Sequence, residues 1–311
     1  MLLKTVTRTQ GNNQDLKAGT VRPRTFEFVF EEVPVLVDAF RRMVRGLEFD
    51  ICEMAITTYL CAREHGKRFV GLPIFLVRAF HHGALLYNTS VGINHPKDLE
   101  GRRIGVNRGY TVTTGLWARS VLADEYGVDL SRITWVLSGD EHVSEYRPPA
   151  NVVAMATGQS LAAMVASGEL AATIGVDVDD SNVKPLIVDA LDAGLRALRD
   201  RGHYPINHLM VMKSDLLDSQ PGLGEEVFDA FVEAKRLYLE ALSGGAIDKP
   251  TEIDRLHQRV MAITGDPLPY GIEPNRRVLE DLIRHAHMQR IISCQIAPEE
   301  LFAVGTRALV G

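Results

Sequence analysis

Short apolar segments alternate along the chain with longer segments of helical periodicity, and this alternation restricts the fold more than any other feature. Residues 49–52 form one apolar segment before a helical pattern at residues 55–64, and residues 103–106 precede a second pattern at residues 113–126. Repeated strand–helix pairs are typical of α/β sheets with largely parallel strands. The sequence therefore predicts an α/β protein whose sheets are covered by helices.

A polar linker at residues 95–101 interrupts the alternation, which then restarts. The 311 residues are too many for one ordinary hydrophobic core and fit two domains. We predict a discontinuous first lobe, residues 1–92 plus 205–311, and a second lobe, residues 93–204, inserted into it. A ligand cleft is expected between the two lobes.

The connections between the lobes are predicted to be two adjacent strands. One is expected at residues 84–88 and the other at residues 205–212, where the chain returns to the first lobe. The C-terminal residues have helical patterns, and the last pattern contains His285 and His287. Side chains two positions apart on a helix point in different directions, so we interpret this histidine pair as a surface feature.

Charge and apolar patterning exclude several classes of partner. The chain has 34 Lys and Arg against 40 Asp and Glu, a net charge of -6, so no nucleic-acid partner is expected. No run of about 18 apolar residues occurs, so no membrane partner is expected either. The N-terminal residues lack an apolar core of signal-peptide length, which predicts a cytoplasmic protein. The three cysteines do not form a disulfide framework, and a homo-oligomer stays open.

Five strings of residues are similar to known sequences. Four of them, residues 53–59 (EMAITTY), 74–82 (IFLVRAFHH), 204–208 (YPINH) and 269–275 (PYGIEPN), resemble the 4,5-dihydroxyphthalate decarboxylase family. The likeness runs through nearly the whole chain. Residues 97–106 (KDLEGRRIGV) resemble the entry into the second lobe of the type II periplasmic-binding-protein fold.

The resemblance implies both a fold and a reaction. The implied fold is a two-lobed, type II periplasmic-binding-protein-like α/β fold. The implied reaction releases one carboxylate of 4,5-dihydroxyphthalate as CO2 and gives protocatechuate, so a small aromatic carboxylate is the expected partner. The same family label covers proteins that only bind ligands, and a non-catalytic solute-binding protein is the alternative.

Ligands of open α/β sheets bind beyond the carboxyl ends of the strands, and this rule selects candidate binding residues. Asn13 follows the first predicted strand, and Thr57 lies in the first turn of a predicted helix. Tyr110, Thr111 and Thr113 lead into a helix whose free N–H groups suit a carboxylate. The alternative for Thr111 and Thr113 is that one of them is the N-cap of this helix. Tyr110 is a candidate for stacking on an aromatic ring.

Arg78 is a basic residue in an apolar segment beside the predicted crossing. A guanidinium matches a carboxylate with two parallel hydrogen bonds, so we expect Arg78 to hold a carboxylate of the substrate. The alternative is a structural ion pair at the hinge.

Three residues are candidates for proton transfer. Replacement of a ring carboxylate by hydrogen needs a proton at the ring carbon, and histidine transfers protons well near neutral pH. We predict that His208 or His82 handles the phenol and ring protons, with Glu53 coupled to one of them. Glu53 lies among apolar neighbours that would raise its pKa. The alternatives are structural histidines and a helix N-terminal acid stabilised by the macrodipole.

Cofactor signals are absent from the sequence. Asp140, Glu141 and His142 form an acidic loop, but no metal-ligand spacing supports a metal there, and none is expected. Neither a dinucleotide-binding GxGxxG fingerprint nor a P-loop is present, so no organic cofactor is expected.

Overall fold

The computed structural model describes all 311 residues, which form two compact units. The first unit consists of Met1–Arg78, Ile206–Ile283 and Ile296–Gly311, and the second unit of Ala79–Pro205 and Arg284–Gln295. Each unit contains its own β-sheet and helices, so the predicted α/β class is confirmed.

Strands and helices alternate through most of the chain. The strands are β1 (Leu2–Val6), β2 (Glu27–Phe30), β3 (Ile51–Ala55), β4 (Phe69–Arg78), β5 (Leu85–Asn88), β6 (Arg103–Val106), β7 (Thr134–Leu137), β8 (Val152–Ala154), β9 (Ala172–Ile174), β10 (Val183–Pro185) and β11 (Ile206–Lys213). The helices are α1 (Gln14–Lys17), α2 (Leu36–Gly46), α3 (Ile56–Glu64), α4 (Thr113–Tyr126), α5 (Leu161–Ala166), α6 (Ala190–Arg201), α7 (Ser214–Ser219), α8 (Leu223–Ser243), α9 (Glu252–Thr264) and α10 (Arg276–Met288).

The sheet of the first unit has the strand order β2-β1-β3-β11-β4. Strand β1 is parallel to β2 and β3, whereas β11 is antiparallel to both of its neighbours, β3 and β4. The prediction that residues 84–88 would lie beside the returning strand is wrong. The neighbour of β11 is β4, whose ten residues include a mostly buried apolar run long enough to fill that place.

The sheet of the second unit has the strand order β10-β5-β9-β6-β7-β8. Residues 84–88, predicted as a crossing, supply β5, which is antiparallel to β9 and β10. Both sheets are therefore mixed rather than largely parallel. The antiparallel strands β4 and β11 were not recognised from the sequence because each contains a continuous buried apolar run, which is typical of parallel strands.

Helix α2 shows how apolar periodicity positions the site. Its residues Ala39, Phe40, Met43 and Val44 are buried, as a helix with one apolar face requires. The ring of Phe40 meets the imidazole of His208 on β11 edge-on, with 5.4 Å between the ring centroids.

None of the helices combines the length and the apolar character that crossing a membrane requires.

Candidate functional site

A carboxylate–histidine pair lies in the sheet of the first unit. Glu53 on β3 is directly opposite Met210 on the antiparallel strand β11, so His208 is its diagonal neighbour on the same face. The Nδ1 atom of His208 lies 2.6 Å from Oε1 of Glu53. The pair thus joins residues that are 155 positions apart in the chain.

The second carboxylate oxygen of Glu53 is held by donors from the segment after β1. Oε2 accepts hydrogen bonds from Thr7 Oγ1 at 2.7 Å, from the main-chain N–H of Arg8 at 2.9 Å and from Gln10 Nε2 at 3.4 Å. These donors occupy Oε2, and an ionised carboxylate has only acceptors. Oε1 therefore accepts the Nδ1 proton of His208, which assigns the tautomer of the imidazole.

Glu53 is fully buried, yet its pKa lies below the ordinary value of 4.5. Burial alone would raise this pKa, but the hydrogen bond and charge of His208, together with Thr7 and Arg8, outweigh it. The sequence-based expectation of a raised pKa is wrong because it counted only the apolar neighbours along the strand. The carboxylate is therefore ionised at neutral pH.

The other ring nitrogen of His208, Nε2, has no hydrogen-bond partner in the chain. The side chain of His208 is 21% exposed. With Nδ1 fixed on a carboxylate, Nε2 is the atom from which a proton can be given to or taken from a ligand. A histidine oriented in this way is the arrangement that general acid–base catalysis uses.

Asn13 supports this pair through the segment that precedes it. Its Nδ2 group donates to Thr7 Oγ1 at 3.0 Å and to the Arg8 carbonyl at 2.9 Å, and its Oδ1 accepts from the Gln10 N–H at 2.8 Å. Asn13 is fully buried, and both of its amide protons are engaged. The structure thus gives Asn13 the part of holding the donors of Glu53 in place.

Gly11, in the same segment as Asn13, packs against Tyr238 on α8. A Cβ atom at this position would lie 2.2 Å from the ring of Tyr238, so no larger residue fits without movement of the ring or the segment. The hydroxyl of Tyr238 donates to Asp254 Oδ1 at 2.7 Å and contacts His257 Nδ1 at 2.8 Å. Because the hydroxyl group of Tyr238 donates its proton to Asp254, its oxygen accepts a hydrogen bond from His257, and the proton of that imidazole is on Nδ1.

The stability of the protein is expected to depend on pH through His257. Burial lowers the pKa of His257 to about 4, against 6.5 in an unfolded chain. Between these values the unfolded chain binds a proton that the folded protein does not, so stability is lost as the pH falls through this window. The difference corresponds to about 3 kcal/mol between pH 6.5 and pH 4. Denaturant unfolding at several pH values measures it, and a His257→Gln variant that kept the same slope would contradict the assignment.

Arg78 lies at the end of β4 and is buried, 4% exposed. Its Nη2 donates to Asn275 Oδ1, and Pro269 O lies 3.4 Å away. Thr57, fully buried, lies in the first turn of α3. The residue before that helix, Ala55, is paired with His208 across the sheet, so α3 begins beside the histidine.

In the second unit, the segment before α4 binds a carboxylate that belongs to the chain itself. Glu141 accepts hydrogen bonds from the N–H groups of Tyr110 and Thr111 and from Thr111 Oγ1, at 2.5, 3.2 and 2.6 Å. Thr113 is the first residue of α4 and is buried. The donors chosen from the sequence are brought together here, and their carboxylate-binding character is shown by Glu141.

Arg119 on α4 was not singled out from the sequence. It is fully buried, its guanidinium lies 4.0 Å from the ring centroid of Tyr110, and its Nη2 donates to the Tyr110 carbonyl at 2.7 Å. Its Nε donates to Gln289 Oε1 at 2.6 Å. Burial lowers the pKa of Arg119 from its ordinary value. Arg119 therefore fixes the ring and the main chain of Tyr110.

His82 lies elsewhere in the second unit. Its Nε2 is 3.1 Å from both carboxylate oxygens of Glu125, which also pairs with Arg201. Glu125 is in the last turn of α4, about 18 Å along the helix from Thr113 at its start. The structure therefore does not bring His82 together with Tyr110 and Thr111.

The expectation that His285 is a surface residue is wrong. His285 is 1% exposed, and its Nε2 lies 2.9 Å from Oδ2 of Asp124 on α4, which also pairs with Arg284. Burial would raise the pKa of Asp124, but both partners together lower it below its ordinary value. No group of three or more His, Cys, Asp and Glu residues in the chain is arranged to hold a metal ion.

Comparison with known proteins identifies relatives of this chain. No protein-family model matches it. It is 30% identical over 282 residues to a 4,5-dihydroxyphthalate decarboxylase of Comamonas testosteroni, a match that covers 85% of each chain. It is 34% identical over 146 residues to the enzyme of that name from Pseudomonas putida, covering 44% of this chain and 56% of that protein.

The solved structure of the periplasmic aliphatic sulphonate binding protein SsuA from Escherichia coli is similar to this one. The TM-score is 0.53 at 12% identity, and the match covers 97% of this chain and 92% of SsuA. The predicted periplasmic-binding-protein-like fold is therefore confirmed.

Proposed function

Because the chain belongs to the 4,5-dihydroxyphthalate decarboxylase family, we propose that it releases one carboxylate of 4,5-dihydroxyphthalate as CO2 and leaves protocatechuate. The observation that carries this proposal is the Glu53–His208 pair. It combines an ionised, fully buried carboxylate with a histidine whose second nitrogen has no partner in the chain. A protein that only binds a ligand has no need for such a pair.

The reaction needs a proton at the ring carbon that bears the departing carboxylate. In the proposed step, protonated His208 donates its Nε2 proton to that carbon, and the hydroxyl group para to it supplies electron density. The bond to the carboxylate carbon then breaks, its electron pair restores the aromatic ring, and CO2 leaves. His208 is left neutral and regains a proton from water.

Glu53 acts through the histidine in this proposal. Its negative charge lies 2.6 Å from Nδ1 and stabilises positive charge on the imidazole ring. The same hydrogen bond fixes the ring, so that Nε2 keeps one orientation. We assign the proton transfer to His208 rather than His82, because His82 is engaged by both oxygens of Glu125.

The residues proposed to contact the substrate differ in the internal hydrogen bonds that the substrate would have to replace. Thr57 lies in the helix turn that starts beside His208. Arg78 would have to exchange Asn275 for a carboxylate. At Tyr110 and Thr111, beside the start of α4 at Thr113, a substrate carboxylate would have to displace Glu141 from the same donors.

The direct test is incubation of purified, chelator-treated protein with 4,5-dihydroxyphthalate, with and without added divalent metal. We expect CO2 and protocatechuate to form in equal amounts. Tight binding of the substrate without release of CO2 under either condition would contradict the proposal and favour a solute-binding protein.

A further inference from the structure

Arg8 combines a fixed main chain with a side chain that is not engaged. Its N–H donates to Oε2 of Glu53 at 2.9 Å, and its carbonyl accepts from Asn13 Nδ2 at 2.9 Å. The residue is exposed, and its guanidinium forms no hydrogen bond or ion pair with the chain. The structure thus places an unpaired cation on the residue whose main-chain N–H binds the carboxylate of Glu53.

The other cations of this region are already engaged. Lys17 donates to the Thr7 carbonyl at 3.1 Å and forms an ion pair with Glu32 at 2.5 Å. Arg78 is buried against Asn275. Arg8 is therefore the basic residue next to Glu53 that is available to an anion from solution.

The charge of the proposed substrate favours such a cation. A benzene dicarboxylate carries two negative charges, and it must reach His208 in the presence of the ionised carboxylate of Glu53, 2.6 Å from that histidine. In the proposed step His208 is protonated, so its charge and that of Glu53 cancel and neither is left to balance the two charges of the substrate. A guanidinium meets the geometry of a carboxylate with two parallel hydrogen bonds.

We propose that the guanidinium of Arg8 binds a carboxylate of the aromatic dicarboxylate and so directs the ring toward Nε2 of His208. This inference rests on the proposed function and adds a binding residue to it. Removal of the Arg8 side chain leaves its main-chain N–H on Glu53, so the catalytic pair itself stays assembled.

The experiment measures the affinity of phthalate, an unreactive dicarboxylate, by calorimetry. For Arg8→Ala we expect binding to weaken about 10- to 100-fold, the worth of hydrogen bonds to a charged group. Arg8→Lys should recover only part of the loss, because an ammonium group cannot form the two parallel hydrogen bonds of a guanidinium. Arg277→Ala is the matched control, an exposed arginine of the same unit, and should bind phthalate like the wild type.

Turnover of 4,5-dihydroxyphthalate by the same variants gives an independent readout. Arg8→Ala should raise KM by a similar factor and change kcat much less. Equal phthalate affinity in Arg8→Ala and Arg277→Ala, or no phthalate binding by the wild type, would overturn the inference. If the wild type decarboxylates but Arg8→Ala binds normally, only the inference fails. If phthalate binding depends on Arg8 and no CO2 is released, only the proposed function fails.

Discussion

Replacement of His208 by alanine is expected to lower turnover of 4,5-dihydroxyphthalate by about 10²- to 10⁴-fold, the usual effect of one positioned acid–base group. The affinity for phthalate should fall far less, because the proton is transferred only in the transition state. Turnover and binding are therefore measured separately on the same variant. Equal losses in both would assign His208 to binding, and no loss in either would make it a structural histidine.

His208→Asn is the matched variant for this experiment. The amide nitrogen of asparagine can take the place of Nδ1 and keep the hydrogen bond to Glu53, but nothing takes the place of Nε2. We expect it to lose as much turnover as His208→Ala while keeping more of the stability of the wild type. Substantial activity in this variant would show that Nε2 is not the atom that transfers the proton.

Glu53→Gln is expected to lower turnover by about 10²- to 10⁴-fold as well, by comparison with the carboxylate of a catalytic triad. The substitution removes the charge that stabilises protonated His208. It also places an amide among donors that need an acceptor, which should lower the free energy of unfolding by about 1–3 kcal/mol. Steady-state kinetics and denaturant unfolding measure the two effects.

A double variant, Glu53→Gln with His208→Asn, distinguishes a coupled pair from two independent residues. If Glu53 acts through His208, the double variant should be little slower than either single variant. Losses that multiply would mean that Glu53 contributes to catalysis by a separate route.

Glu53 and His208 could be selected from the sequence as candidates, but their contact could not. Glu53 follows a predicted strand and His208 begins the returning one, and both stood out as titratable residues beside apolar segments. Their contact depends on the antiparallel register that sets Met210 opposite Glu53. A shift of one residue in that register would turn one side chain to the other face of the sheet.

Long-range partners explain the other differences. The donors that lower the pKa of Glu53 come from His208, Thr7 and Arg8, each more than 40 positions away along the chain. His285 was assigned to the surface from its spacing on a helix, but Asp124, 161 positions away, is the group that pairs with it in the interior. Local spacing does not contain this information, whereas it was sufficient to place the helices expected at residues 55–64 and 113–126.

The strand order of the first sheet has a consequence for synthesis of the chain. Strand β11 lies between β3 and β4 in the sheet. In the chain, however, β11 begins at Ile206, 128 positions after β4 ends at Arg78, so the ribosome makes it much later. Until then the strand that pairs with the facing edges of β3 and β4 is missing, and exposed edges of this kind favour aggregation. His208 is carried on the strand that fills the gap, so the nascent chain completes its first sheet and brings His208 to Glu53 in the same late event.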